Sequence, residues 1–142
     1  MRTPRPASIL LLLLLCLAAL AQPANYRIMN KGREGQTFAI TEYLTRGKMN
    51  LVEFTSEACP ACRALNPKLS AMSAKMPDLV LNQLVVDRPG SQGIDWQSPL
   101  ARQYELRSVP YFKIYDPAGV LVAEGEPARK MVAKMLLESK VL

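Results

Sequence analysis

An apolar, strand-like run, Leu51-Val52-Glu53-Phe54, leads directly into Cys59-Pro60-Ala61-Cys62 and then into a segment with helical spacing. This junction constrains the chain more than any other feature. Two cysteines separated by two residues can close a small ring, and a helix that starts at the first of them aims unpaired N–H groups at its sulfur. Such a setting favours the thiolate and can lower a cysteine pKa from about 8.5 to roughly 3.5–7.5. The residues alone leave three readings open: a redox pair, half of a zinc site, or a structural bridge.

The ends of the chain narrow the choice. Arg2 and Arg5 precede an apolar run from Ile9 to Leu17, and Ala19-Leu20-Ala21 fits a small-x-small cleavage site. This pattern predicts a secretory signal peptide over residues 1–21. An uncleaved membrane anchor is the alternative, although Ser8 to Ala21 falls short of the ~20 apolar residues that span a bilayer. Cleavage would leave Cys59 and Cys62 as the only cysteines. One closely spaced pair constrains an unfolded chain little, so reactivity explains it better than scaffolding. Loss of Arg2 and Arg5 lowers the formal charge from +6 to +4. The remaining basic residues are scattered, without runs or interleaved aromatics, and nucleic-acid binding is not expected. The sequence has no histidine, which removes imidazole-based zinc sites, Cys-His pairs and triads.

Residues 22–36 are polar and read as an extended arm or a short edge strand, and residues 37–142 as one domain. A short helix is predicted around Phe38, Ile40, Tyr43 and Leu44, ending at Gly47, and a strand over Asn50 to Thr55. Leu65, Leu69, Met72 and Met76 then mark one face of a helix that Pro77 stops. The apolar run within Asp78 to Asp87 suits a strand covered on both faces. A loop from Arg88 to Pro99 contains Trp96, and a short helical stretch follows to Tyr104. Tyr111–Tyr115 and Val120–Ala123 form a predicted hairpin around Asp116-Pro117-Ala118-Gly119. Ala128, Met131, Val132, Met135 and Leu136 mark the inner face of a closing helix. Methionines 72, 76, 131 and 135 are therefore read as packing residues and not as copper ligands. The order implies an α/β fold with a mixed sheet and helices on both faces. Cys59 then follows the carboxyl end of a strand, where such sheets place their sites.

With these features in order, Phe38 to Leu137 resembles the thioredoxin-like family. The resemblance rests on the strand leading to Cys59-Pro60-Ala61-Cys62, Pro67 within the active-site helix, Asp87 after the next strand, and Val109-Pro110 before Tyr111. It implies that Cys59 attacks and Cys62 resolves. It also implies a cis bond before Pro110, with Val109 and Pro110 set against the cysteine pair to contact substrate beside Pro60 and Ala61. Glu53 falls where the family has a buried acid that exchanges protons with the second cysteine; its alternative is a charge on a half-exposed face. The sequence departs from the family at Thr55 and Ala58, where tryptophans flank the motif, and at Gln83, where a lysine accompanies the acid. Trp96, on a longer loop, either supplies the missing contact surface or covers loop and core.

The expected activity is that of an exported thiol–disulfide oxidoreductase that reduces disulfides in exported proteins. Such a protein would act as a monomer, most naturally in a bacterial periplasm, with electrons from a membrane redox partner. It would need no organic cofactor beyond the Cys59–Cys62 redox disulfide, and no metal. The alternatives are an oxidant or isomerase of the same chemistry, and a non-enzymatic binding or metal-handling module.

Overall fold

The computed structural model describes residues 25–141. The expected signal segment therefore lies outside the described residues. Among the described residues, five strands form one sheet in the order β1-β3-β2-β4-β5. They are β1 (Tyr26–Ile28), β2 (Met49–Thr55), β3 (Leu79–Val85), β4 (Tyr111–Tyr115) and β5 (Leu121–Glu124). β1 and β2 both run parallel to β3, whereas β4 pairs antiparallel with β2 and β5 with β4. Between arm and edge strand, the segment after Asn25 thus takes the strand form. The helices are α1 (Pro60–Lys75), the short α2 (Pro99–Gln103) and α3 (Gly125–Glu138), with a 3-10 turn at Ile40–Tyr43 where a short helix was expected.

The central strands alternate their side chains between two cores. Leu51, Leu79, Leu81, Phe112 and Ile114 pack with Leu69 and Met72 of α1 and Ala128, Val132 and Leu136 of α3. Val52, Phe54 and Leu84 pack on the other face with Phe38, Ile40, Leu100 and Ala101. Helices on both faces are thus as expected. One packing assignment is corrected: the buried stripe of α3 is Ala128, Val132 and Leu136, while Met131 is 38% exposed. The fully apolar i, i+4, i+8 series takes the inward line, and Met131, one residue earlier than Val132, is turned toward solvent.

The hairpin turn follows its chemistry. Asp116 Oδ1 accepts from the N–H groups of Ala118 and Val120 at 2.9 Å each, and Gly119 takes a φ of +82°. On the opposite side of the molecule, Gly35 (φ +72°) donates to the Val85 carbonyl at 3.0 Å. A β-carbon at Gly35 would stand 2.8 Å from the Arg88 backbone nitrogen, so only glycine lets this segment lie against the start of the 88–99 loop.

Candidate active site

The cysteine pair is built by the turn between β2 and α1. Ser56, almost wholly buried, bonds twice within that turn: its Oγ accepts from Ala58 N–H at 3.1 Å and its carbonyl from Cys59 N–H at 3.2 Å. Cys59 then has extended backbone and serves as the N-cap of α1, with Pro60 in the first helical turn, where its missing N–H costs nothing. The Cys59 Sγ accepts from the Cys62 N–H at 3.1 Å. The two cysteines are joined as a disulfide, with their α-carbons 5.3 Å apart. Cys59 keeps 3% of its surface exposed and Cys62 none, so only Cys59 is open to a partner.

One further group touches the pair directly, and a second is linked to it through α1. The Val109–Pro110 bond is cis, as the family resemblance implies, and the Val109 carbonyl oxygen lies 3.5 Å from Cys59 Sγ. On the side facing α1, Glu53 is completely buried. This answers the open question of its exposure. Its rung partner across the parallel ladder is Gln83, whose Nε2 donates to Glu53 Oε2 at 2.6 Å. Burial pushes the Glu53 carboxyl up from its ordinary 4.5 to about 7, against the opposing pull of the Gln83 hydrogen bond. The acid is therefore set to hold or release a proton near neutral pH.

Sequence reasoning missed Asn66. It lies four residues after Cys62 on the same face of α1, and that spacing was the available signal. Its amide orientation is assigned from the surrounding hydrogen bonds. With the nitrogen toward Glu53, it stands 2.9 Å from Oε1 and 2.9 Å from the Cys62 carbonyl oxygen. Tyr26 was also missed; its hydroxyl donates to Gln83 Oε1 at 2.5 Å.

Two grooves flank the cysteines. One, of about 350 Å³, is walled by Glu57 and Ala58 before the motif and by Asp87 to Ser91 and Gly93 of the loop. Trp96 is not among its walls and is 37% exposed, so the loop meets the site through its first half. That loop is held by Asp95, which pairs with Arg88 at 2.6 Å and donates its N–H to Asp87 at 2.9 Å. The second groove, of about 210 Å³, lies on the side of Pro110, against Ser108, Gly125 and Glu126.

A disulfide at a helix N-terminus, a first cysteine that is the more accessible of the two, a buried carboxylate and a cis-proline loop together define a thiol–disulfide oxidoreductase. The sequence matches the thioredoxin family over residues 35–137, and the chain belongs to that family. Among solved structures, spinach chloroplast thioredoxin f superposes with a TM-score of 0.56 at 19% identity, covering 84% of this chain and 97% of that one. The thioredoxin of Trichomonas vaginalis gives 0.57 at 17% identity, covering 81% and 96%. Thioredoxin O2 of Arabidopsis thaliana, in its oxidised state, gives 0.54 at 19% identity, covering 79% and 92%. At these identities the likeness is one of fold. No curated protein matches the sequence.

Proposed function

We propose that the chain reduces disulfides in exported proteins, with Cys59 as nucleophile, Cys62 as resolving thiol and Glu53 as proton carrier. The observation that carries this reading is the convergence on one sulfur: Cys59 Sγ accepts the Cys62 N–H at 3.1 Å and lies 3.5 Å from the Val109 carbonyl. In the dithiol form, the Cys59 thiolate attacks one sulfur of a substrate disulfide. A bond forms between them, and the other substrate sulfur leaves as a thiolate that takes up a proton. Cys62 then passes its proton to the ionised Glu53, attacks Cys59 Sγ and expels the second substrate thiolate. The products are a reduced substrate and the Cys59–Cys62 disulfide, with two electrons transferred.

Substrate contact falls to Val109, Pro110, Pro60 and Ala61 around Cys59, with the first half of the 88–99 loop as a neighbouring wall. Trp96 is proposed only as an outer contact for larger substrates. Regeneration of the dithiol requires an electron donor, which for an exported protein means a membrane redox partner. Residues 1–21 would direct export and be removed. Among the described residues no helix is long and apolar enough to cross a membrane.

The test is equilibration of the protein in graded ratios of reduced and oxidised dithiol. A potential at or below about −230 mV, in the range of reductants of this kind, is expected; a value near about −120 mV would make the protein a disulfide donor instead. Cys62→Ser should trap a mixed disulfide at Cys59. Absence of reversible exchange would overturn the enzymatic reading, and recovery of the intact leader from a cytosolic fraction would overturn export.

A further inference from the structure

We propose that Tyr26 and Asn66 are positioning residues of the redox site, which hold the Glu53 carboxylate from opposite sides, Tyr26 through Gln83 and Asn66 directly. This rests on the proposed role of Glu53 as proton carrier, and it adds two residues that neither touch substrate nor belong to the cysteine motif.

An amide side chain is chemically two-ended. A glutamine side chain has an accepting oxygen and a donating nitrogen. The Tyr26 hydroxyl donates to Gln83 Oε1 at 2.5 Å, which fixes the oxygen end and leaves the nitrogen end to face Glu53 Oε2 at 2.6 Å. Burial and the nearby Glu53 carboxylate both push the Tyr26 phenol above its ordinary 10.0, so it remains a donor through neutral pH. From the helix side, the Asn66 amide nitrogen reaches Glu53 Oε1 at 2.9 Å and the Cys62 carbonyl at 2.9 Å. Asn66 thereby ties the acid to the backbone of the cysteine it serves.

The clamp is neutral. β1 contributes Tyr26, β3 contributes Gln83, α1 contributes Asn66 and Cys62, and the β4 rung partner of Glu53 is Phe112. The core on this face adds Ala128 and Val132 from α3. The cations of these elements are engaged or exposed elsewhere. Arg27 donates to Asn82, Lys113 pairs with Glu124, Arg129 with Glu126, Lys134 with Glu138, and Lys75 with the Ser139 carbonyl, while Arg63, Lys68 and Lys130 lie at the surface. Among the described residues no lysine or arginine pairs with Glu53. Neutral donors favour the ionised carboxylate less than a cation would, so they orient the acid without fixing it as an anion.

The experiment follows the Glu53 side-chain carboxyl by NMR in the oxidised full-length protein across a pH series, in wild type, Tyr26→Phe, Asn66→Ala and Gln83→Leu. Loss of a donor to the ionised form should raise the Glu53 midpoint, by about one pH unit for Gln83→Leu and Asn66→Ala. Tyr26→Phe should raise it less, in the same direction. The pH profile for Cys62 resolving a mixed disulfide should move by the same amounts, and these variants should leave that profile unmoved in a Glu53→Gln background. Tyr26→Phe removes one oxygen and keeps the ring, so it stays informative if a larger change fails to fold. An unmoved Glu53 midpoint in folded Tyr26→Phe and Asn66→Ala would overturn the clamp. A moved midpoint with an unmoved resolution profile would uphold the clamp and overturn Glu53 as proton carrier.

Discussion

The two central strands carry two buried polar clusters on opposite faces, and they differ in one respect. Near the start of β2, Asn50 is saturated: its Nδ2 donates to the Thr45 and Lys48 carbonyls, and its Oδ1 accepts from Thr45 N–H, at 2.9 Å each, and from Asn82 Nδ2 at 3.2 Å. Asn82 Oδ1 in turn accepts from Arg27 Nε at 2.6 Å. Nothing buried there has a proton to gain or lose near neutral pH. Three residues along β2, on the other face, Glu53 has equally close partners but is itself titratable, and burial holds its pKa at about 7. A buried polar group that cannot change its charge serves stability; one that can still gain or lose a proton is available for chemistry.

Four substitutions would break or sharpen this contrast. Cys59→Ser should abolish exchange altogether, measured as disulfide reduction in the presence of excess dithiol, because the resolving cysteine is fully buried. Glu53→Gln should slow Cys62 attack by about 10²-fold, the lower end for loss of general acid–base catalysis. The same substitution should stabilise the fold at alkaline pH. Below 4.5 the carboxyl is protonated in both folded and unfolded chains. Between 4.5 and about 7 only the unfolded chain ionises, so native stability falls as pH rises, by about 3 kcal/mol in full. Denaturant melts of Glu53→Gln should therefore show a gain at pH 8 and almost none at pH 4. A gain of equal size at both would mean that the acid is not held protonated.

Asn50→Ala should act in the opposite sense, costing about 3 kcal/mol at every pH between 5 and 8, since it strands the Thr45 and Lys48 groups, and leaving the exchange rate as it was. Loss of exchange in folded Asn50→Ala would erase the distinction between the clusters. Smallest is Ser98→Ala. Ser98 caps α2 by accepting from Ala101 N–H at 3.1 Å, and its loss should cost about 1 kcal/mol by thermal melt without moving the Glu53 midpoint.

What was legible in the sequence was local. The strand-to-helix junction at Cys59, the Asp116–Gly119 turn and the closing helix each have their determinants within a few residues, and each formed close to its expected bounds. Glu53 was legible as a candidate, but its burial depends on α1 and α3 lying over the same face, which alternation in one strand cannot reveal. Tyr26 was not legible at all. It sits on a three-residue strand, and its partner Gln83 is 57 positions away, a register that no local pattern encodes. Asn66 was overlooked for another reason: a polar residue in mid-helix ordinarily faces solvent, and only the position of Glu53 beneath it gives the amide a use.

Because Cys59 is the N-cap of α1, the reacting atom is also part of the scaffold. A thiolate accepts the Cys62 N–H more strongly than a disulfide sulfur does, so the first turn of the helix is held more firmly in the reduced protein. Whatever strengthens that turn in the thiolate form raises the reduction potential by the equivalent free energy. The amide proton of Cys62 thus becomes a built-in gauge: its exchange with solvent slows when electrons are loaded and quickens when they are delivered.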